Sequence, residues 1–261
     1  MQVTGPALIA AMEGTEAASP VLWWLGHCGF AIKYYGIVFY VDPYLPPGAG
    51  LQPADVNNAD LILCTHTDAQ HMDAAALRGM LDSSARAKVV LPKSAARHAF
   101  ELGVPYHRMT TTDSDLRVEY FKMGVYARVY AVPSAHPDLS WTPIGGYPYL
   151  GYLIRCGGTT IYHAGDCVPY DGLADRLRPY NVNLALLPVA GREQNNFTPE
   201  EAAQLASDIG ARWVAPMHYG PASVEVADRF TSHMLFHRPE QRFKVFKPFE
   251  GWHIPEEGDI S

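Results

Sequence analysis

The sequence predicts an αββα sandwich, an α/β fold of two mixed β-sheets packed face to face and flanked by helices, and three observations carry that expectation. Strand-like runs open the chain from Val21, strand and helix patterns then alternate, and the same succession starts again at Asp115. The 261 residues, 48% hydrophobic and 18% charged, suffice for one substantial core, and no composition break divides them. Residues 1–20 have helical character without a strong apolar face and are expected as an N-terminal arm; residues 21–261 are expected as a single domain.

In the first half, VLWWLG, FAIKYY and IVFYVD are rich in β-branched and aromatic residues and are separated by glycine-containing turns, the pattern of an antiparallel meander. ADLILCTH then reads as a buried strand and DAAALRGML as a helix, and KVVLP with SAARHAFELG repeats the alternation. The second half begins with DLRVEYFKM, VYARVYAVPSAH and YLGYLIRCGGTTIYHAGD, where Gly157 and Gly158 mark a hairpin. GLADRLRPY (helix), LALLPVA (strand), TPEEAAQLASDIG (helix), WVAPMH (strand), SVEVADRFTSHMLFH (helix) and FKVFKP (strand) complete it. Thr198 as N-cap, Pro199 in the first turn and Glu201 three residues on form a capping-box signature.

Twenty basic against 27 acidic residues give a net charge of -7, with no run of five or six like charges. A polyanion needs a basic stripe to release its counterions, so a nucleic-acid partner is excluded. The first twenty residues lack the basic start and apolar stretch of a signal peptide, and no later segment has the length of a membrane span. The expectation is a soluble, cytoplasmic protein with a small-molecule substrate and no membrane partner. Cys28, Cys64, Cys156 and Cys167 form no CxxC pair and read as reduced core residues.

The chemistry is concentrated where strands end. LILCTHTDAQHMD delivers His66, Asp68, Gln70 and His71 within six residues; AVPSAHPD adds His136, IYHAGD adds Asp166, and WVAPMHYG adds His218. Imidazole and carboxylate donors suit zinc, manganese or iron without any thiolate. A single histidine at a strand end is usually structural; several in this order point to a divalent-metal cleft.

The succession WWLGHCGFAIKYYGIVFYVDPY, the TH-containing loop, SAH, YHAGD and PMHYG resembles the metallo-β-lactamase superfamily, and within it the ascorbate-6-phosphate-lactonase-like members. The likeness runs from about Val21 to Pro248. It implies one or two metal ions, the first held by His66, Asp68, His136 and Asp166, the second by the position of Gln70, then His71, the shared Asp166 and His218. The family loop is usually H-x-H-x-D-H; here it is His66-Thr67-Asp68-Ala69-Gln70-His71, so Asp stands for the second His and Gln for the usual Asp. The first change keeps a ligand and hardens the site toward manganese or iron. The second puts a neutral amide where the family has a ligand that also orients the attacking hydroxide, which leaves Asp68 as the candidate proton acceptor.

Around these, His27 in LGHCGF reads either as a substrate contact or metal-centre support, or as turn packing. Asp42 reads as support for the metal loop or as a turn former before Pro43. Arg192 reads as an anion contact or a solvated loop residue. Tyr219 is a candidate substrate contact, with Trp141, Tyr147, Tyr149 and Tyr170 as pocket walls, and His163 is a candidate support for Asp166. The resemblance implies a homo-oligomer and a metal-dependent hydrolase in which metal-bound hydroxide attacks a small lactone or ester, anionic if Arg192 takes part. A phosphodiesterase of the phospholipase-D-like kind and a non-catalytic binding protein, the latter because of Gln70, are the competing readings.

Overall fold

The computed structural model describes residues 5–45, 50–220 and 224–255. Two seven-stranded sheets form the body. The first contains β1 (Val21–Gly26), β2 (Gly29–Tyr34), β3 (Ile37–Val41), β4 (Leu61–Leu63), β5 (Lys88–Pro92) and β6 (Met109–Thr112) side by side in chain order. The second contains β7 (Arg117–Lys122), β8 (Val125–Pro133), β9 (Leu150–Cys156), β10 (Thr159–His163), β11 (Leu184–Pro188), β12 (Trp213–Met217) and β13 (Arg242–Phe243), again in chain order. The last strand, β14 (Gly251–His253), returns to the first sheet and pairs with β1.

Both sheets are mixed, as expected. β1 to β3 and β7 to β10 are antiparallel meanders, whereas β3 to β6 and β10 to β13 run parallel. The patterning follows from exposure. β11 (LALLP) is buried along its whole length, while β7 (RVEYFK) alternates between exposed and half-buried residues.

Side chains alternate along β1: Leu22 and Trp24 join one apolar cluster, Val21, Trp23 and Leu25 the other. The first cluster fills the space between the sheets and extends under α4 (Leu173–Leu177), α5 (Pro199–Asp208) and α6 (Val224–His237). The second lies on the outer face of the first sheet, under α1 (Gly5–Gly14), α2 (Ala74–Ser83) and α3 (Ala96–Glu101). The capping box of α5 is present, with Glu201 N–H donating to Thr198 Oγ1 at 3.3 Å and Thr198 N–H to Glu201 Oε2 at 3.0 Å.

Three expectations need correction. The segment expected as an arm contains α1, which buries Leu8, Ile9 and Met12 in the outer cluster. Lys33 of β2 closes its end by donating to the carbonyls of Met12, Glu13 and Thr15 at 2.7–2.8 Å. The expected strand FKVFKP contributes only Phe243, to β13, and the chain then crosses to the first sheet, where Pro248 bridges Trp24. The strands β6 and β14 were not expected, being four and three residues long with no clear apolar period. No helix among the described residues is long and apolar enough to cross a membrane.

Candidate metal centre

The fold brings the candidate residues to one edge of the sandwich. Asp42 follows β3, His66 follows β4, Asp166 follows β10 and His218 follows β12, all at carboxyl ends of strands in the parallel parts of the sheets, where α/β folds form their crevices. His136 follows β8, and His27 lies in the turn between β1 and β2.

Asp166 is the centre of the cluster, and its two carboxylate oxygens serve different sides. Oδ2 faces His66 Nε2 at 3.9 Å and His136 Nε2 at 3.8 Å; Oδ1 faces His71 Nε2 at 3.4 Å and His218 Nε2 at 3.2 Å. Gly165 makes this approach feasible. Its φ of +62° is left-handed, and a Cβ there would lie 2.9 Å from the Thr65 Cβ and 3.0 Å from the Leu150 carbonyl.

A layer of hydrogen bonds aims the imidazoles. Asp42, fully buried, accepts from Thr65 N–H at 2.8 Å, Thr65 Oγ1–H at 2.7 Å and His71 Nδ1–H at 2.7 Å. With its proton on Asp42, the Thr65 hydroxyl presents a lone pair to His66 Nδ1 at 3.0 Å. His136 Nδ1–H donates to the Asn195 carbonyl at 3.1 Å. Three imidazoles thus have Nδ1 engaged and Nε2 turned toward Asp166, the arrangement of histidines that ligate a metal. His163 is saturated elsewhere, donating to the Cys28 carbonyl at 2.8 Å and accepting from Gly165 N–H at 3.2 Å, and so supports the Asp166 loop.

The electrostatics test whether a cation fits. Burial and the neighbouring His71 hold His66 neutral, with its pKa lowered. Burial, His218 and His71 push His27 down to about 3. Burial alone would raise the pKa of Asp166, but His71 and His218 hold it well below the usual carboxylate range. A buried carboxylate therefore sits among four imidazoles, and the buried His66 Nε2, 3.9 Å from its Oδ2, has no hydrogen-bond partner among the described residues. Nitrogen and oxygen lone pairs repel unless a cation or proton lies between them, so the residues present fit a divalent metal. At His71 a proton takes that place: burial opposes it, but Asp42 and Asp166 raise its pKa from 6.5 to about 10. Metal loading must displace that proton. Calorimetric titration at pH 7.5 in buffers of different ionisation heat is expected to count about one released proton per chain from this imidazole, with affinity falling as pH falls.

The remaining candidates divide. Asp68 is 56% exposed, with Oδ2 3.5 Å from His66 Nε2, and its contact with His66 keeps its pKa low. Gln70 is exposed beside the buried His71. Tyr149 packs on His66 and His136 at ring distances of 5.2 and 5.1 Å. Tyr219, expected at the substrate, is instead buried against Trp24 at 4.9 Å. Arg192 gives its guanidinium to Glu201 Oε1 at 2.6 Å, so the partner the structure provides is the α5 capping residue. Tyr170 is likewise committed, to the Pro133 carbonyl at 2.6 Å. Cys28 is buried with Sγ 3.9 Å from Asp166 Oδ1; burial and the carboxylates of Asp166 and Asp42 push its pKa well up, so it is no nucleophile.

Two further supports have no motif of their own in the sequence: Thr65, and Asn196, whose Oδ1 accepts from Cys167 N–H at 3.0 Å and pins the far side of the Asp166 loop. The only local signal is position, Thr65 directly before His66 and the Asn195-Asn196 pair after β11. Backbone conformation marks the site as well: Asp42, His27 and His218 are left-handed at φ +43°, +52° and +65°. Such residues cost about 1–3 kcal/mol each and cluster where function demands them.

The family model of the β-lactamase superfamily domain matches residues 21–218. The chain belongs to the β-lactamase superfamily. It is 27% identical over 240 residues to a UPF0173 metal-dependent hydrolase of Caldivirga maquilingensis, covering 90% of this chain and 98% of that protein. A protein of the same name from Myxococcus xanthus is 31% identical, covering 82% of this chain and 77% of the relative. Among solved structures, the metallo hydrolase Igni18 from Ignicoccus hospitalis superposes with a TM-score of 0.70 at 19% identity, over 91% of this chain and 99% of that one. The superfamily expected from the sequence is thus the one found, and its fold is the sandwich described above.

Proposed function

We propose that this superfamily member is a metal-dependent hydrolase that opens small lactones or esters. The observation that carries the reading is the convergence of four imidazole Nε2 atoms on the two oxygens of Asp166, with the exposed Asp68 at the edge of the cluster. The names of the Caldivirga and Myxococcus relatives support the hydrolase part of it. His66, Asp68, His136 and Asp166 would hold one cation, and His71, His218 and Asp166 contribute to a second. Zinc, manganese or iron suits this donor set.

When bound, such a cation polarises the substrate carbonyl and makes water acidic enough to attack it. The chain's own residues do the rest. Asp68 is ionised and accessible, and its carboxylate takes the proton from the attacking water. The phenol of Tyr149 stays protonated, its pKa raised by burial and by Asp68 and Asp166, and it is placed beside His66 and His136 to donate to the leaving oxygen. Thr65, Asp42 and the Asn195 carbonyl keep the imidazoles aimed.

A screen of the metal-loaded chain against lactones, aryl esters and phosphodiesters tests this. Lactone or ester turnover that a chelator removes and added metal restores is expected. Turnover of phosphodiesters alone would move the chain to the phospholipase-D-like reading, and bound metal with no turnover would make it a binding protein. In protein kept saturated with metal, because the amide is also a weaker donor at the first site, Asp68→Asn should lower kcat by about 10²-fold, the usual worth of a positioned base. An unchanged kcat would remove Asp68 from its role.

A further inference from the structure

The resemblance implies a carboxylate ligand for the second cation at position 70, but Gln70 is an exposed neutral amide, a weak donor for a transition metal. A different side chain stands at that half of the cluster. The ring of His27 lies 4.0 Å from that of His218 and 5.5 Å from that of His71, centroid to centroid. One ligand atom from each of His27, Cys28, His71 and His218 lies within 4.8 Å of the others. The Nδ1 atoms of His27 and His218 are both buried without a hydrogen-bond partner among the described residues.

The turn that carries His27 is built into the site. Its carbonyl accepts from His218 N–H at 3.1 Å and from Trp24 Nε1–H at 3.0 Å, which holds the left-handed backbone and ties His27 to the loop of another candidate ligand. The next carbonyl, of Cys28, accepts from His163, which in turn supports the Asp166 loop. Turn packing alone does not account for an imidazole nitrogen sealed from water and unpaired among other metal-capable groups.

We propose that His27 is a ligand of the second cation, completing with His71, His218 and Asp166 a three-imidazole, one-carboxylate site in place of the family's aspartate. The Cys28 thiol stays protonated and hydrogen-bonds Asp166 Oδ1. The inference requires that the cleft bind metal and is independent of the ester reading, so its test measures metal and not turnover.

The full chain is stripped, titrated with zinc and with cobalt, and analysed for metal by mass spectrometry after equilibrium dialysis. Wild type is expected to hold two ions. His27→Asn, chosen because asparagine tolerates a positive φ, is expected to hold one, with second-site affinity lowered at least about 100-fold and the absorption of the second cobalt equivalent lost. Gln70→Ala and Cys28→Ser are expected to keep both ions, and His27→Gln to behave as His27→Asn, with thermal unfolding confirming that each variant is folded. Two ions bound with unchanged affinity in His27→Asn overturn the proposal. So does a wild-type chain that holds fewer than two, or loss of the second ion in Cys28→Ser with retention in His27→Asn, which would assign the position to sulfur.

Discussion

Exchanging Asp166 for asparagine is expected to empty the metal centre and to lower hydrolysis by at least about 10³-fold. Its two oxygens each face a pair of imidazoles at 3.2–3.9 Å, so it belongs to both halves of the cluster and no neighbour can replace it. The neutral amide removes the negative charge and turns one oxygen into a donor pointed at imidazole lone pairs. Loss of a Lewis-acid contribution of about 4 kcal/mol corresponds to that factor of 10³. Metal analysis and the ester assay on the same preparation check it: retained metal with normal turnover would mean that Asp166 is structural. Because Asp166 is held ionised by His71 and His218 and in turn helps hold the His71 proton, the metal-free variant should also lose some stability, so thermal unfolding of the same preparation separates a chemical loss from unfolding.

The second large effect is on stability. Asp42→Ala is expected to destabilise the protein by about 3–5 kcal/mol, because it leaves the buried Thr65 N–H and the buried His71 cation without their acceptor. For a chain of this size that is a fall in Tm of about 10 °C, readable by calorimetry. Alanine also fits poorly at φ +43°, so Asp42→Asn, which keeps the backbone and one acceptor oxygen, should lose less. The sign of the pH dependence follows from His71, whose pKa rises from 6.5 unfolded to about 10 folded. In metal-free wild type the stability from the His71–Asp42 pair is therefore complete below pH 6.5 and fades as pH climbs through about 10. Without Asp42, that alkaline loss should shrink, and so should the proton released when metal binds at pH 7.5. A variant that melts with wild type would show that Asp42 is only a turn former.

The sandwich was legible because parallel strands buried on both faces, such as β11 and β12, read as continuous apolar runs, and because Thr198, Pro199 and Glu201 announce α5. α1 was not, since alanines surround Leu8, Ile9 and Met12 and blur the face that the first sheet covers. β14 owes its existence to β1, more than two hundred residues earlier, and its three residues carry no pattern of their own.

The candidate ligands were legible one by one because each follows a strand. Which groups aim them was not. Thr65, Asp42 and His71 meet across 29 residues, and His136 and the Asn195 carbonyl across 59, contacts that exist only once the strands within each sheet are paired. Arg192 and Tyr219 show the converse: the residue type suited a substrate contact, and a nearby glutamate and a tryptophan ring took them first. His27 stood beside two readings in the sequence, and the proposal that it is a ligand rests on its distance from His218 and His71, which the sequence does not carry.

The most direct test of the metal centre is an anomalous-scattering map from a crystal of the metal-loaded chain, collected on either side of the metal's absorption edge. Two peaks flanking the Asp166 carboxylate are expected, one against His66 and His136 and the other against His71 and His218. A cleft without a peak in protein saturated with zinc, manganese or iron would contradict the account.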